Sequence, residues 1–283
     1  MSVNYQKRIA RVQAAIHADP AAEHSLDDLA DIAALSRFHF HRVFTAMTGE
    51  TVAEAVRRIR LTRAALALRH GKAPVAGVGR ANGYPHAGSF SRAFRAAYGL
   101  SPSRFRKERA DNVLPAYLAF TQGDPDMYPV TLSDQPVRPI IGVPHRGPYP
   151  QINQAFERLS AGLGAAGLWP QVRAMVAVFF DDPAIVAPSA LRSMAGVSLA
   201  GDVALPPGLT SVDLVGGRHA VMRVIGPYSG LSAAYAWLYG PWLAHSGETP
   251  RDAPSWEHYV NSPMDTAPAD LLTDIYLPLE DHA

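Results

Sequence analysis

The stretch FHRVFTAMTG at residues 40–49 returns fifty residues later as FSRAFRAAYG at residues 90–99. Phenylalanine, arginine, phenylalanine and glycine hold matching positions in the two copies. The apolar residues of the first copy have the i, i+3, i+4, i+7 spacing of one helix face, and they are Phe40, Val43, Phe44 and Met47. Their counterparts in the second copy are Phe90, Ala93, Phe94 and Ala97. The repeat therefore predicts two similar helices, each with an apolar face packed inward.

A shorter helix is predicted in front of each of these two helices. In the first copy, an apolar stripe at residues 26–33 follows Ser25, a residue type that commonly caps a helix N-terminus. In the second copy, Val75 and Val78 precede a turn at residues 82–83. Each copy is therefore predicted to be a helix-turn-helix unit.

The faces opposite to the packed ones are predicted to be exposed, and both carry arginine. The candidate DNA contacts are Arg37, Phe38, His41 and Arg42 in the first copy, and His86, Ser89, Ser91, Arg92 and Arg95 in the second. The nearby histidines at positions 39, 41 and 86 diverge from one another and lack a further ligand, so no metal site is predicted. The run GVGRANG at residues 77–83 matches no nucleotide-binding fingerprint.

Residues 51–70 between the copies form a continuous run rich in alanine, leucine and arginine. This run predicts a helix that ends at Gly71, with Pro74 opening the next one. Twenty residues of helix measure about 30 Å, and successive major-groove segments on one face of B-DNA are about 34 Å apart. The helix is therefore a suitable spacer for two DNA-reading helices.

The two halves of the chain carry opposite charge. Residues 1–112 contain 18 Lys and Arg against 9 Asp and Glu, whereas residues 113–283 contain 8 against 16. All four tryptophans lie in the second half. A basic half favours a polyanionic partner, and an acidic, aromatic half favours a small apolar or cationic one.

Length and composition limit the possible classes of protein. A chain of 283 residues with 48% apolar and 18% charged residues is expected to form two globular domains. It contains no cysteine, which excludes disulfides and thiolate-bound metals. The N-terminal twenty residues resemble no signal peptide, and no window of 18 uninterrupted apolar residues occurs. A cytoplasmic protein without membrane contact is expected.

The N-terminal half resembles the DNA-binding domain of the AraC/XylS family over residues 5–109. The resemblance is carried by the two helix-turn-helix units, their connecting helix and the closing run GSFSRAFRAAYGLSPSRFRK at residues 88–107. It implies that base edges are met by Phe38, His41, Arg42, His86, Ser89 and Arg92. The sequence departs from the family at residues 87–88, where Ala-Gly replaces longer polar side chains and favours phosphate contact.

A second internal repeat follows in the acidic half, where Gly-Pro-Tyr occurs at residues 147–149 and again at residues 226–228. Each tripeptide follows a strand-like run and precedes a helical run and two more strand-like runs. These runs are 138–145, 152–166, 174–180 and 194–199 in the first copy, and 219–225, 230–244, 256–261 and 272–277 in the second. The pattern predicts an α+β domain of two strand-helix-strand-strand units, with a ligand at their seam.

This tandem pattern resembles the GyrI-like effector-binding domain, which also occurs in Rob-type regulators, over residues 127–281. Besides the two tripeptides, the resemblance rests on FFDDP at 179–183, Leu-Arg at 191–192, WEHYVN at 256–261 and TDIYLPL at 273–279. It implies that Glu257 lies in a ligand cleft and attracts cationic or polarised aromatic compounds.

The alternation of a strand places Glu257 and Tyr259 on one face and Trp256 on the other. A buried carboxylate is costly unless a partner satisfies it. The candidate effector contacts are Tyr149, Trp169, Tyr228, Trp242, Trp256, Glu257, Tyr259 and Tyr276. Tyr235 and Trp237 are expected mainly to pack in the core.

Two alternatives for Glu257 stay open at this point. The carboxylate could form a buried ion pair with Arg192 or Arg223. It could also act with a neighbouring tyrosine as a general base, because some GyrI-like proteins hydrolyse reactive cyclopropane-bearing drugs. No catalytic triad, metal set or nucleotide loop accompanies it, and an enzyme is not predicted.

Together these observations predict a transcriptional regulator with a DNA-binding domain at residues 1–112, a linker at 113–126 and an effector-binding domain at 127–283. The expected partners are double-stranded promoter DNA and a small aromatic or cationic amphipathic effector, with RNA polymerase as a further candidate. Monomer and homodimer are both compatible with two reading helices in one chain, and no cofactor is expected. The alternative is a drug-sequestering protein or a hydrolase of reactive xenobiotics.

Overall fold

The computed structural model describes residues 4–108, 124, 126–201 and 203–281. The first of these ranges belongs to one compact unit and the later ranges belong to a second. The predicted linker at 113–126 lies outside the described residues except for positions 124 and 126. The predicted domain boundaries therefore stay predictions.

The described N-terminal residues form seven helices. They are α1 (Tyr5–Ala18), α2 (Leu26–Ala33), α3 (Arg37–Thr48), α4 (Val52–His70), α5 (Val75–Ala81), α6 (Ala87–Tyr98) and α7 (Pro102–Glu108). The predicted helix-turn-helix units are confirmed as α2–α3 and α5–α6, and α4 is the helix that connects them. With 19 residues, α4 is about 28 Å long.

Side-chain caps explain where the helices of the first unit begin. Ser25 and Ser36 each accept a hydrogen bond from the backbone N–H three residues ahead, at the starts of α2 and α3. Thr51 and Glu54 form a reciprocal capping box that starts α4. The turn between α2 and α3 contains Ala34 in the left-handed conformation, with φ of 51°, which costs alanine more than glycine.

The predicted inward faces of α3 and α6 are confirmed as core. Phe40, Phe44, Phe90 and Phe94 have no exposed surface. In the second unit, α7 adds Phe105, whose ring lies 5.2 Å from that of Phe94 in an edge-to-face arrangement. Buried aromatic pairs of this kind contribute both area and favourable ring geometry, so the repeated phenylalanines hold α3 and α6 in place.

The described C-terminal residues form an eight-stranded antiparallel sheet. Its strands are β1 (Val130–Gln135), β2 (Arg138–Arg146), β3 (Val172–Phe179), β4 (Arg192–Leu199), β5 (Thr210–Leu214), β6 (Gly217–Ile225), β7 (Ser255–Tyr259) and β8 (Leu272–Pro278). The helices are α8 (Asn153–Ala165), α9 (Leu231–Trp237) and α10 (Leu243–Ser246). A π-helical turn with Pro241 inside it separates α9 from α10, so the single helix predicted at 230–244 is interrupted.

The strand order β1-β6-β8-β7-β3-β4-β2-β5 reads the same from both ends when the two repeats are exchanged. At the centre, β3 pairs with β7 so that Ala177 lies opposite Glu257. These residues are 80 apart, as are the two short 3-10 turns that begin at Pro188 and Pro268. The pseudo-twofold axis of the predicted tandem repeat therefore passes through the Ala177–Glu257 pair.

Each repeat begins with a strand that the sequence analysis did not predict, namely β1 and β5. These strands are exchanged between the repeats, because β1 pairs with β6 and β5 pairs with β2. Both are short, polar and at an edge of the sheet, and most of their side chains are exposed or half-buried. A strand that buries so little carries a weak hydrophobic pattern.

The two faces of the sheet have different surroundings. Helix α8 packs on one face through Leu159 and Leu163, which belong to the same cluster as Ala195 and Val197. The strand register places Ala177 and Glu257 on this face, here called the helix face. The opposite face, here called the far face, carries a cluster that includes Met194, Val178 and Trp256. Among the described residues, no helix has the length and apolar character needed to span a bilayer.

Candidate nucleic-acid interface and buried carboxylate site

The exposed side of α3 carries two arginines with different surroundings. Arg37 is exposed and forms a surface ion pair with Asp27 at 3.4 Å. The guanidinium carbon of Arg42 lies 4.7 Å from the ring centroid of Phe38, over its face. This cation–π contact orients Arg42 and explains why a phenylalanine lies outside the helix core.

The prediction that His41 points away from the core is wrong, because its side chain is only 3% exposed. Helix α3 contacts both α2 and α4, which widens the arc of the helix that is buried. His39 is buried for the same reason. A side chain enclosed in this way cannot reach a base edge, so His41 leaves the set of candidate DNA contacts.

The exposed side of α6 is more open. His86 lies at the N-terminal end of the helix and is exposed, and its carbonyl accepts a hydrogen bond of 2.7 Å from the Ser89 hydroxyl. Arg92 and Arg95 are exposed and lack an acidic partner among the described residues. With Ser91 and Ala96 they line an open depression of about 380 Å³. Arginines in this state are available to phosphate or base acceptors.

Glu257 occupies the middle of the helix face of the sheet, on the pseudo-twofold axis. The residue is 3% exposed, and its Oε2 accepts a hydrogen bond of 2.8 Å from the Tyr259 hydroxyl. The Tyr235 side chain on α9 also favours the ionised form of Glu257 and acts to lower its pKa. The cross-strand neighbours are Ala177 on β3 and Ile275 on β8, both apolar and fully buried.

Burial dominates the protonation of Glu257 and raises its pKa to about 7, although the hydrogen bond from Tyr259 and the nearby Tyr235 side chain act in the opposite direction. Burial also raises the pKa of Tyr228 and holds the pKa of Tyr259 well above its usual range. These two tyrosines therefore stay neutral at ordinary pH and can donate hydrogen bonds.

The alternative in which Glu257 pairs with Arg192 or Arg223 is wrong. Arg192 pairs with Asp181 at 2.7 Å, and Arg223 pairs with Asp274 at 2.7 Å. Among the described residues, Glu257 forms no ion pair. Its negative charge, when present, is therefore balanced only by hydroxyl dipoles.

Aromatic rings surround Tyr259 on both sides of the axis. The ring of Tyr228 lies 5.2 Å from that of Tyr259, and the ring of Phe156 on α8 lies 5.6 Å away. Tyr149, the counterpart of Tyr228, packs on Phe179 at 4.8 Å, and its hydroxyl donates to the Asp181 carbonyl at 2.6 Å. Tyr149 is thus fixed in place by the backbone, whereas Tyr228 belongs to the carboxylate site.

Trp256 and Tyr276 were predicted as effector contacts together with Glu257, but they lie on the far face. Their rings are stacked 3.6 Å apart and within 7° of parallel, and the Arg138 guanidinium carbon lies 6.0 Å from the Trp256 ring centroid. Successive residues of a strand point to opposite faces, which separates Trp256 from Glu257. The prediction that these two residues share a wall with Glu257 is wrong.

Trp169 and Trp242 make no ring contact with the tyrosines around Glu257 in the described parts of the chain. Trp169 is 45% exposed in the turn before β3, and Trp242 is half-buried at the end of the π-helical turn. Their assignment as effector contacts stays a prediction.

The roles of Tyr235 and Phe156 at this site were not predicted from the sequence. Tyr235 was assigned to packing, yet its side chain acts on the Glu257 carboxyl and lowers its pKa. Phe156 stands at the corresponding position of the first repeat, 79 residues earlier. Within the described residues, no group of three His, Asp or Glu side chains is arranged to hold a metal ion.

Comparisons with known proteins divide the chain in the same way. Residues 128–280, more than half of the chain, match the family of GyrI-like small molecule binding domains, and residues 29–108 match a helix-turn-helix domain family. The chain is 32% identical over 156 residues to the "Probable transcriptional regulator YgiV" of Escherichia coli strain K12, which covers 53% of this chain and 95% of that protein.

Two further relatives match one half each. The chain is 35% identical over 99 residues to an "AraC-like transcription regulator" of Streptomyces lividans, covering 35% of this chain and 33% of the relative. It is 31% identical over 142 residues to a "DNA gyrase inhibitor" of Serratia proteamaculans, covering 47% and 86% respectively. The chain therefore belongs to the GyrI-like family of small molecule binding domains, joined here to a helix-turn-helix DNA-binding domain of the AraC type.

Proposed function

We propose that this protein binds promoter DNA through α3 and α6 and changes transcription when an amphipathic cation binds at Glu257. The DNA-binding part of the proposal rests on the AraC-type domain together with the charge of residues 1–112. The effector part rests on the buried carboxylate and the tyrosines around it. Contact with RNA polymerase belongs to the same proposal, and it is compatible with a monomer or a homodimer.

Arginines on both proposed reading helices support the DNA-binding part: Arg92 and Arg95 are exposed, and Arg42 is half-buried. Arg92 and Arg95 have no acidic partner among the described residues, and Arg42 is oriented by the ring of Phe38. An arginine that reaches a guanine can pair with it through two hydrogen bonds, which discriminates against other bases by about 1 to 3 kcal/mol. We assign this role to Arg42 and Arg92, and phosphate contact to Arg37 and Arg95.

The single observation that carries the effector part is the buried carboxyl of Glu257 without a positively charged partner. Keeping a carboxyl in an apolar sheet costs stability, and Ala177 at the equivalent position of the first repeat fills the same place without that cost. A ligand-binding function explains why the chain has a destabilising glutamate at position 257. A cation held between the carboxylate and aromatic rings gains both charge pairing and cation–π contact.

The DNA-binding part is tested by selecting genomic fragments with the purified full chain and measuring affinity for the selected duplex. We expect affinity to fall steeply with salt because phosphate contacts release counterions. Arg42→Ala and Arg92→Ala should each relax base preference, whereas Arg95→Ala should weaken binding to all sequences alike. A salt-independent affinity, or equal loss of preference in all three variants, would contradict the assignment.

The effector part is tested with pairs of ligands that share shape and differ in charge. Tetraphenylphosphonium is a permanent aromatic cation, and triphenylphosphine oxide is a neutral relative. We expect the cation to bind the full chain at pH 8 and the Glu257→Gln variant to lose at least tenfold in affinity, as expected for loss of a charge-assisted contact. Glu157→Gln changes an exposed carboxylate on α8 and serves as the matched control.

A second candidate function is favoured by the protonation of Glu257, since a carboxyl with a pKa of about 7 is suited to general acid and base chemistry. Incubation of the protein with reactive electrophilic ligands, followed by mass spectrometry of the recovered ligand, separates the two functions. A sensor returns its ligand unchanged, whereas a hydrolase consumes it and loses this activity in Glu257→Gln. Drug sequestration predicts instead that the Arg42→Ala, Arg92→Ala double variant still protects cells.

A further inference from the structure

Among the described residues, no positively charged side chain contributes to the environment of Glu257. Its cross-strand neighbours on the helix face are Ala177 from β3 and Ile275 from β8. From α8, the nearest contribution to the site is the uncharged ring of Phe156, which packs on Tyr259. The arginines that could have approached, Arg192 and Arg223, are paired elsewhere.

The titratable groups that face Glu257 are three tyrosines. Tyr259 comes from its own strand, Tyr235 comes from α9, and Tyr228 comes from the short turn before that helix. Tyr259 and Tyr228 are held neutral by burial, and they carry no positive charge in any protonation state. His258, the next residue along β7, points to the far face and is not part of this group.

A carboxyl group in this position can lose its charge in two ways. It can bind a proton, or it can pair with a positively charged ligand that enters the site. Both use the same negative charge, so a bound proton removes the attraction on which the ligand depends. Since the described residues provide no third partner, occupancy by one excludes the other.

We propose that effector binding is coupled to proton release, so that an amphipathic cation and a proton compete for the Glu257 carboxylate. The O–H bond of the protonated carboxyl breaks, the proton leaves to the solvent, and the cation takes its place as the counter-charge. This inference rests on the proposed function, because it requires the effector to bind at Glu257. The hydroxyls of Tyr259 and Tyr235 stabilise the ionised form during the exchange.

The proton and the cation compete for the carboxylate at physiological pH because the pKa of Glu257 is raised to about 7. Linkage then requires affinity for a permanent cation to be about tenfold weaker at pH 6 than at pH 8. Above pH 8 the affinity should become constant. The sensor would therefore respond to a given effector concentration more weakly in an acidified cell.

The test is calorimetric titration of the full chain with tetraphenylphosphonium, a cation that does not itself titrate. Measurements in two buffers of different ionisation enthalpy give the number of protons released. We expect about 0.9 protons at pH 6 and about 0.1 at pH 8. Glu157→Gln should behave like the wild type, and Glu257→Gln should release no proton and bind weakly at every pH.

The outcomes distinguish this inference from the function on which it rests. Failure of the wild type to bind the cation at pH 8.5 would overturn both. Binding with a constant affinity and no proton release would overturn the exchange and leave the proposed function standing. If Glu257→Gln does not fold, Tyr259→Phe replaces it, because loss of its hydrogen bond should move the pH midpoint upward by about one unit. An unchanged midpoint would contradict the exchange.

Discussion

The two repeats of the C-terminal domain share their strands and turns but differ in where they carry polar atoms. Glu257, Tyr259 and Tyr235 of the second repeat correspond to Ala177, Phe179 and Phe156 of the first. Each pair differs mainly in a carboxyl or hydroxyl group, and all three polar members meet at one place. The first repeat is therefore a natural control for the second, and the difference between them locates the candidate site.

The strongest test of this comparison makes the repeats alike at the axis. Ala177→Glu places a second carboxyl directly opposite Glu257 in the register of β3 and β7. Because two like charges would then share a buried site, we expect the free energy of unfolding to fall by about 3 to 5 kcal/mol. Urea unfolding followed by tryptophan fluorescence measures this domain, since all four tryptophans lie in it.

Ala177→Leu is the control for side-chain volume, with an expected loss of about 1 to 3 kcal/mol from overpacking. Adding Glu257→Ala to Ala177→Glu leaves one carboxyl on the axis and should recover part of the lost stability. If Ala177→Glu and Ala177→Leu lower the free energy of unfolding equally, side-chain volume and not charge explains why the first repeat has alanine at this position.

The next test uses the pH dependence of stability. Glu257 has a folded pKa of about 7, above its unfolded value of 4.5, so the folded protein binds more protons between these values. Its contribution is therefore present at low pH and lost as pH rises through 7, by roughly 3 kcal/mol in all. We expect the stability of the wild type relative to Glu257→Gln to fall by about this amount between pH 4.5 and 7.5.

Taking the difference between the two proteins cancels the other titrating groups, including the histidines whose pKa is lowered by burial. A difference that does not change with pH would mean that Glu257 is solvated in the folded state.

A smaller effect is expected at the paired tyrosines. The Tyr149 hydroxyl donates to the Asp181 carbonyl and accepts from the Asp181 N–H at 3.1 Å, so Tyr149→Phe should cost about 1 kcal/mol of unfolding free energy. Tyr228 makes no comparable backbone bond among the described residues, and Tyr228→Phe should leave stability unchanged while weakening cation binding. The reverse pattern would assign the binding role to the first repeat.

The smallest effect is expected at the ion pairs of the two repeats. Arg192 and Arg223 are 63% and 50% exposed in their pairs with Asp181 and Asp274. The carboxylates are only 11% and 8% exposed, but solvent at each arginine screens the pair, so Arg192→Gln and Arg223→Gln should each cost no more than about 1 kcal/mol. Thermal unfolding in low and high salt would measure both. A large loss of stability in only one of these two variants would mean that the repeats also differ in the strength of this ion pair, away from the pseudo-twofold axis.

Much of the architecture could be predicted because equivalent elements of each repeat carry the same residues at matching positions. Phe40 and Phe90 mark equivalent helices, and the Gly-Pro-Tyr tripeptides mark equivalent turns. The edge strands β1 and β5 escaped prediction because they bury few side chains and so leave little pattern. The burial of His41 depends on contacts with α2 and α4, which the periodicity of α3 alone does not contain.

The candidate site was predictable in part. Glu257 is identified by chemistry, since a carboxylate in an apolar strand requires a reason, and Tyr259 follows from strand alternation. Trp256 and Tyr276 were grouped with them on aromatic character, although alternation already placed Trp256 on the other face. Tyr235 reaches Glu257 only through the packing of α9 on the sheet, and no local pattern gives that distance.

The order in which the strands pair has a consequence for synthesis on the ribosome. Strand β1 pairs with β6, about 90 residues later in the chain, and β8 lies between β6 and β7 in the middle of the sheet. Chains emerge from the N-terminus at about 5 to 20 residues per second, and early domains fold first. The N-terminal helices are therefore free to fold seconds before the sheet can form. Under the proposed function, a nascent chain is then able to bind DNA before its effector site exists.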